Sequence, residues 1–208
     1  MQLQNHQNIE TGTVPPQLNH GGHEMFDVHE VLAGAINTMN TYTMMSEHVK
    51  DPELRDILQR QKQFMTDEYN ITLECFKTGQ DPSKPTQSYK MNQGNDFTYG
   101  MKPSQPKKPM QTAGEICDQS ISLSMLNAVK SGAVMKTTAA LETTNPVVRR
   151  VLADSLPNCI EMAYEISIYQ NKNGFYQVPQ LAQQDMQQMQ NGYAPAPLQP
   201  QIPGNLPH

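Results

Sequence analysis

The chain has 208 residues, enough for one domain of ordinary size with tails. Its formal net charge of -5 gives no basic surplus of the kind that binds a phosphate backbone, so we expect no nucleic-acid partner. The hydrophobic fraction of 37% is low for a compact domain, which places part of the chain outside any core. With no Trp and 5 Phe, that core should be aliphatic and rich in Met.

Both ends of the chain are expected to be disordered. Residues 1–22 are polar, end in two glycines and contain no apolar run, so they predict a flexible arm and no signal peptide. Residues 181–208 are rich in Gln and Pro and predict a loose tail with a short helix near Leu181 to Met189. No segment reaches transmembrane length, so we expect synthesis in the cytoplasm and no membrane insertion.

Residues 23–79 predict a helical hairpin. The first helix should span residues 23–50, with its inner face carrying Val28, Leu32, Ala35, Met39, Tyr42 and Val49. Asp51-Pro52-Glu53 predicts the start of a second helix, because Asp is a good N-cap and Pro is tolerated at the first helical position. Gly79 is a natural stop. The inner face of this second helix should carry Leu54, Ile57, Leu58, Phe64, Met65, Ile71 and either Cys75 or Phe76.

Residues 80–110 interrupt the helical pattern with five prolines and two glycines. Five lysines make this linker locally basic. Its aromatic residues Tyr89, Phe97 and Tyr99 provide only a weak nucleic-acid signal at this lysine density. The segment therefore predicts a solvated, mobile crossover.

A second hairpin follows from Gln111. The inner face of its first helix is predicted to carry Ile116, Leu123, Leu126, Ala133, Val134, Thr137 and Leu141. Asn145-Pro146 repeats the cap-then-proline start, Pro157 should kink the last helix, and Gly174 should end it. The inner face of that helix should carry Val148, Val151, Leu152, Cys159, Met162, Ala163, Ile166 and Tyr169.

The two hairpins form an internal repeat. When Pro52 is placed over Pro146, the apolar positions of the following helices coincide and Leu32 lies over Leu126. Neither hairpin can bury its apolar stripe alone, and the linker is long enough to cross the length of a bundle. The sequence therefore predicts an all-α, ferritin-like four-helix bundle over residues 23–180, with the second hairpin inverted relative to the first.

Such a bundle raises the question of a di-iron site, which needs Glu-x-x-His pairs on two helices. No Glu in the chain has a His three residues later, and helices two, three and four contain no His. Glu68 and Gln61 fall near the inner stripe of helix two, where we expect solvated or hydrogen-bonded ends. We therefore assign no metal ligand.

The remaining reactive residues give no active-site pattern. His20, His23 and His29, with His6 further out, form a loose cluster that is most simply a solvated helix start, with adventitious divalent-metal binding as the alternative. His48 should complement the dipole at the end of helix one. The cysteines Cys75, Cys117 and Cys159 form neither a disulfide framework nor a zinc motif, and at least two should be buried inert thiols. Nucleotide-binding and nucleophile-elbow motifs are absent, so we assign no catalytic residue and no cofactor.

The segment from Ala163 to Pro179 reads AYEISIYQNKNGFYQVP, in which a helix with aromatics stops at Asn-Lys-Asn-Gly before an aromatic pair and a proline. This segment, with the hairpin before it, resembles the coat-F family of bacterial spore coat proteins over residues 25–180. The resemblance implies a ferritin-like helical fold, production during sporulation, a place in the spore coat or forespore, and no catalytic residues. Phe175 and Tyr176 should fold back on the bundle end, or else form an exposed docking patch.

The expected function is thus that of a non-enzymatic structural spore protein. Its partners would be other spore proteins or further copies of itself, with no small-molecule substrate. Lysines, glutamines and the tyrosines Tyr89, Tyr99 and Tyr193 are candidate crosslinking groups. The alternatives are a ferritin-like metal-binding protein and a helical adaptor that recruits a partner through its tails.

Overall fold

The computed structural model describes residues 19–196, and within that range the chain forms α-helices and no β-strand. Residues 1–18 and 197–208, which contain most of the predicted arm and the end of the predicted tail, lie outside the described residues. The five α-helices are α1 (Gly22–Ser46), α2 (Pro52–Thr78), α3 (Asp118–Glu142), α4 (Pro146–Lys172) and α5 (Gln183–Asn191). Between α2 and α3, a 3-10 turn covers Ala113–Glu115.

Helices α2 and α4 begin where local capping chemistry predicts. The Asp51 side chain accepts a hydrogen bond from the Glu53 N–H at 2.8 Å, and Asn145 accepts from the Val147 N–H at 2.9 Å. Pro52 and Pro146 occupy the first helical positions. Gly79 ends α2 with a φ of 65°, a left-handed conformation that glycine adopts without strain.

Two predicted boundaries are wrong by a few residues. Helix α1 ends at Ser46 and not at Lys50, because residues 47–50 turn the chain toward the α2 cap. Helix α3 begins at Asp118 and not at Gln111, because the backbone of Cys117 is extended and serves as the N-cap. The predicted tail holds α5, close to the short helix expected there.

The predicted inner face of α3 is also wrong in part. Leu123, Val134 and Leu141 are 50%, 67% and 80% exposed. Their spacing of eleven and seven residues places them on one outward stripe. The predicted Leu126 is buried, and the other side chains that α3 buries are Ile121, Ser122, Met125, Val129 and Ala139.

The four long helices pack around two buried clusters, and each cluster contains residues from all four helices. Helix α1 contacts α2 and α3, and α4 contacts α2 and α3. Hydrogen bonds at the helix ends show that neighbours run antiparallel: Asn145 reaches the Gly79 carbonyl at one end, and Tyr169 reaches Asp51 at the other. Leu58, Met125, Met162 and Ile166 lie in the core as an aliphatic, Met-containing interior predicts, but fully buried Tyr42 and Tyr169 join them.

The linker is not the solvated crossover that its composition predicts. Tyr89 is only 6% exposed, and its N–H donates to the Asn158 side chain at 2.9 Å. Further along, the Thr98 N–H donates to Asn171 at 2.7 Å. The first two thirds of the linker are therefore fastened to α4 at these points, although most of their other residues are exposed, and residues 101–110 are exposed throughout.

The two hairpins fasten each other at corresponding corners. Placing Pro52 over Pro146 also places Glu24 over Asp118 and Lys50 over Thr144. Glu24 Oε2, at the start of α1, accepts from the Thr144 N–H at 2.9 Å. Asp118 Oδ1, at the start of α3, accepts from the Lys50 N–H at 2.9 Å. Each hairpin thus supplies the carboxylate that closes the turn of the other.

We predict that Glu24→Ala destabilises the fold by about 1–3 kcal/mol, because it leaves the buried N–H of Asn145 and the part-buried N–H of Thr144 without a partner. Urea unfolding followed by circular dichroism measures the change. Glu30→Ala, an exposed position on the same helix, is the matched control. Equal stability of the two variants would contradict the prediction.

The effect of Glu24→Ala should also depend on pH. Burial opposes the charge of Glu24, but hydrogen bonds from His20, Asn145 and Thr144 outweigh it and hold the pKa below its usual 4.5. A carboxyl whose pKa is lowered in the folded state adds its full stability above the unfolded pKa and loses it as pH falls through the folded value. The stability difference between wild type and variant should therefore narrow as the pH falls below 4.5.

Candidate functional site

A buried carboxylate, Glu165, lies on the inner side of α4 and is fully enclosed. It accepts hydrogen bonds from the Arg60 guanidinium at 2.7 Å and from the Gln61 amide at 3.0 Å, both on α2. From the linker, the Tyr89 hydroxyl and the Asn92 N–H, at 3.2 Å, donate to it as well. One side chain thereby joins α4, α2 and the linker.

The donors around Glu165 offset the cost of burying its charge. Arg60 also pairs with Asp56 at 2.7 Å and donates to the Tyr89 hydroxyl at 2.7 Å. Burial, and then the hydrogen bond to Glu165, raise the pKa of Tyr89, which keeps its hydroxyl protonated as a donor. Both carboxylate oxygens are occupied by protein donors, so this cluster positions the chain and presents no open ligand.

Gln61 extends the same network into the core. Its side-chain carbonyl accepts from the Tyr42 hydroxyl at 3.0 Å, and its amide also reaches the Met162 carbonyl at 3.1 Å. The expectation that Gln61 has a hydrogen-bonded end is confirmed, although the side chain is fully buried and not at a solvated edge.

A cavity of about 280 Å³ opens between α1 and α3, with α2 and α4 at its floor. Small residues on the facing helices leave this space: Gly34 and Ala35 on α1, and Ala128 and Gly132 on α3. Its walls are mainly apolar, with Val31, Leu32, Met65, Val129, Met135 and Met162 among the lining residues. Such concave, apolar spaces with a few polar groups are where small molecules most often enter proteins.

The side chains of Lys136, Glu68 and Cys159 converge in that cavity. Lys136 on α3 forms an ion pair with Glu68 on α2, and the two side chains are 13% and 12% exposed. Lys136 Nζ also lies 3.6 Å from the Cys159 sulfur on α4. Asn158 donates to the second Glu68 oxygen at 3.0 Å. Glu68 therefore has a paired, hydrogen-bonded end, as expected.

The electrostatics of this cluster keep the amine charged and the thiol neutral. Burial opposes the charge of Lys136, but the Glu68 carboxylate outweighs it and raises the Lys136 pKa. Burial raises the pKa of Cys159. In its resting state the cluster is thus an ion pair beside an unionised thiol.

The histidines between residues 19 and 196 do not form one site. His20 Nδ1 lies 2.6 Å from Glu24, and its ring packs against Phe76 with centroids 5.4 Å apart. His23, His29 and His48 are exposed, and His6 lies outside the described residues. Between residues 19 and 196, no three side chains of His, Cys, Asp or Glu come together as a metal-binding group.

The prediction of at least two buried thiols is confirmed. Cys75 and Cys159 are free and buried, whereas Cys117 is free and exposed. Burial raises the pKa of Cys75 to about 11, which keeps it protonated at neutral pH. None of the three is part of a disulfide.

The closing segment, residues 173–179 after α4, folds back only in part. Gly174 has a φ of 72°, and the Phe175 N–H reaches the Gln170 carbonyl at 2.8 Å. The Phe175 ring packs edge-on against Tyr169, with centroids 6.2 Å apart. Tyr176 stays 52% exposed. The structural role predicted for the aromatic pair therefore holds for Phe175 and not for Tyr176.

Glu165, Arg60 and Lys136 were missed by the sequence reasoning. The only signal was that Glu165 lies three residues after Met162 and next to Ile166, on the inner face of α4. Arg60 and Lys136 adjoin apolar positions but carry no pattern that distinguishes them from surface cations. Their roles depend on partners from other helices.

Comparison with known proteins gives a consistent result. The family model named Coat F domain matches residues 117–179, which cover α3, α4 and the closing segment. The chain is 55% identical over 176 residues to a protein of Bacillus subtilis (strain 168) named spore coat protein F-like protein YhcQ, covering 85% of this chain and 81% of that one. A crystal structure of a candidate spore coat protein from Bacillus halodurans C-125 superposes with a TM-score of 0.57 at 17% identity, covering 83% of this chain and 99% of that chain, which shows a shared fold. No helix in the described range is long and apolar enough to cross a membrane.

We predict that Glu165→Gln destabilises the fold by about 3 kcal/mol, because the neutral amide no longer balances the partly buried Arg60 charge, which keeps only the exposed Asp56 as an ionic partner. Glu161→Gln, one turn earlier on α4 and without a hydrogen bond or ion pair to described residues, is the control. Chemical unfolding of both variants measures the difference. A loss no larger than that of the control would show that the network is dispensable.

We predict that Tyr89→Phe loosens the linker while leaving the helices folded. The change removes the hydroxyl that bonds Glu165 and Arg60, a loss of about 0.5–1.5 kcal/mol in local stability. Trypsin should then cleave after Lys90, which is followed by Met91, several-fold faster than in wild type. Tyr99→Phe, at an exposed linker position, should not change the rate.

Proposed function

This chain belongs to the Coat F family of spore coat proteins, and from that membership we propose that it is a structural component of the bacterial endospore. The observation that supports the proposal is the 55% identity over most of both chains to a protein named spore coat protein F-like. In this proposal the protein is made in the cytoplasm during sporulation and becomes part of the spore coat or the forespore.

We further propose that the protein acts by assembly and not by catalysis, with other spore proteins or further copies of itself as partners. Its polar clusters are occupied by protein groups, as the Glu165 network illustrates. The outward apolar stripe of Leu123, Val134 and Leu141 supports a role in protein–protein contact, since exposed apolar patches commonly mark such surfaces.

The architecture that supports this role is, in our proposal, a ferritin-like bundle. Antiparallel neighbours and a long connection between α2 and α3 support that assignment. The tails and exposed tyrosines would supply crosslinking groups. Tyr99 and Tyr193 are 62% and 88% exposed, whereas Tyr89 is buried and is withdrawn from that set.

We predict that a fluorescent fusion of the full chain, produced in a spore-forming host, localises to the developing spore and stays with the released spore. The fluorescent protein produced without this chain is the control for passive trapping in the spore. Diffuse fluorescence in growing cells, or quantitative recovery of the chain as soluble monomer from mature spores, would contradict the structural role.

A further inference from the structure

The approach of Lys136 Nζ to Cys159 Sγ, at 3.6 Å, places an amine and a thiol from two helices within reach of a covalent bond. We propose that Lys136 and Cys159 form an S–N bond when the protein meets hydrogen peroxide. This bond would make the pair a modification site that ties α3 to α4. The inference is independent of the proposed spore role, because it depends only on the geometry of the cluster.

The cavity between α1 and α3 gives the oxidant its route. Lys136, Cys159 and Glu68 all line this space of about 280 Å³. Hydrogen peroxide is scarcely larger than water and fits such a space, whereas the low exposure of Cys159, at 6%, keeps bulky thiols away. An oxidised Cys159 sulfur would therefore meet the neighbouring amine before it meets a second protein.

The first chemical step oxidises the sulfur. The Cys159 thiol first releases its proton to solvent, and the thiolate then attacks one oxygen of hydrogen peroxide. The S–O bond forms, the O–O bond breaks, and the departing hydroxide takes up a proton to become water. Sulfur loses two electrons to peroxide, and the product is a sulfenic acid. Sulfenic acids condense with nearby nitrogen as well as with thiols.

The second step forms the bond between the helices. Glu68, already paired with Lys136, accepts one proton from the ammonium and leaves a neutral amine. The amine nitrogen attacks the sulfur, the S–O bond breaks, and the hydroxyl departs with a second nitrogen proton as water. In total one peroxide is consumed, two waters are released, and the protein loses two hydrogens.

The other two cysteines provide internal contrasts. Cys75 is completely buried, and its thiol donates to the Thr72 carbonyl at 3.2 Å. Cys117 is exposed and available for ordinary disulfides between molecules. Neither has an ion-paired lysine beside its sulfur in the described structure, so the S–N bond should be specific to Cys159.

The test uses the full chain with Cys75→Ala and Cys117→Ser, which leaves Cys159 as the only thiol and excludes a disulfide within the chain. After treatment with hydrogen peroxide, the intact mass should fall by about 2 Da, and dithiothreitol should restore it. Digestion should yield one crosslinked species containing the peptides of Lys136 and Cys159. Circular dichroism before treatment confirms that the variant is folded.

Two further variants separate this reaction from simple oxidation. With Lys136→Arg, which keeps the charge opposite Glu68, or with Lys136→Met, the crosslink should disappear and Cys159 should gain about 32 Da as sulfinic acid. The proposal is overturned if Cys159 of the Lys136-containing protein stays unmodified or gains oxygen without a crosslink. A crosslinked species heavier by about 14 Da would indicate an intervening oxygen and would overturn the direct S–N bond.

Discussion

The burial of one carboxylate governs how this protein is built. Glu165 lies in the interior, where a charge is costly unless donors surround it, and those donors come from α2 and the linker. Its requirements therefore fix the face that α2 turns toward α4 and the path that the linker takes. The Tyr89 hydroxyl cannot reach this carboxylate unless residues 80–92 run along α4. The hydrogen bonds that the buried Glu165 needs thus order residues 80–92, although the composition of this segment is that of a loop.

Features that depend on neighbours in sequence were predictable. The helix starts at Asp51-Pro52 and Asn145-Pro146 follow from capping, because the cap and the N–H groups it satisfies lie within three residues. The inner face of α3 was not predictable in full, since its apolar residues lie on both an inward and an outward stripe. The linker was misjudged because the groups that hold it belong to α4, far away in sequence.

In the candidate sites, too, the features set by neighbours in sequence were predictable and those set by distant residues were not. Burial of Cys159 followed from its position in an apolar stripe, but its proximity to Lys136 depends on how α3 sits against α4. Hydrogen bonds at the ends of Gln61 and Glu68 were expected, but their partners were not. Apolar spacing along one helix does not show which residues of another helix lie opposite. Similarity to spore coat proteins supports the proposed function, which the residues alone do not reach.

The two hydrogen bonds that join the hairpins at their corners, from Thr144 to Glu24 and from Lys50 to Asp118, have a consequence for the topology. Glu24 closes the turn of the second hairpin and Asp118 closes the turn of the first, so every corner bond joins one half of the chain to the other. Two molecules that exchanged their second hairpins would keep all of these bonds, now between chains. Residues 101–110 are the exposed stretch that would have to cross over. A monomer and a domain-swapped dimer of this protein would therefore share the same core and differ chiefly at this hinge.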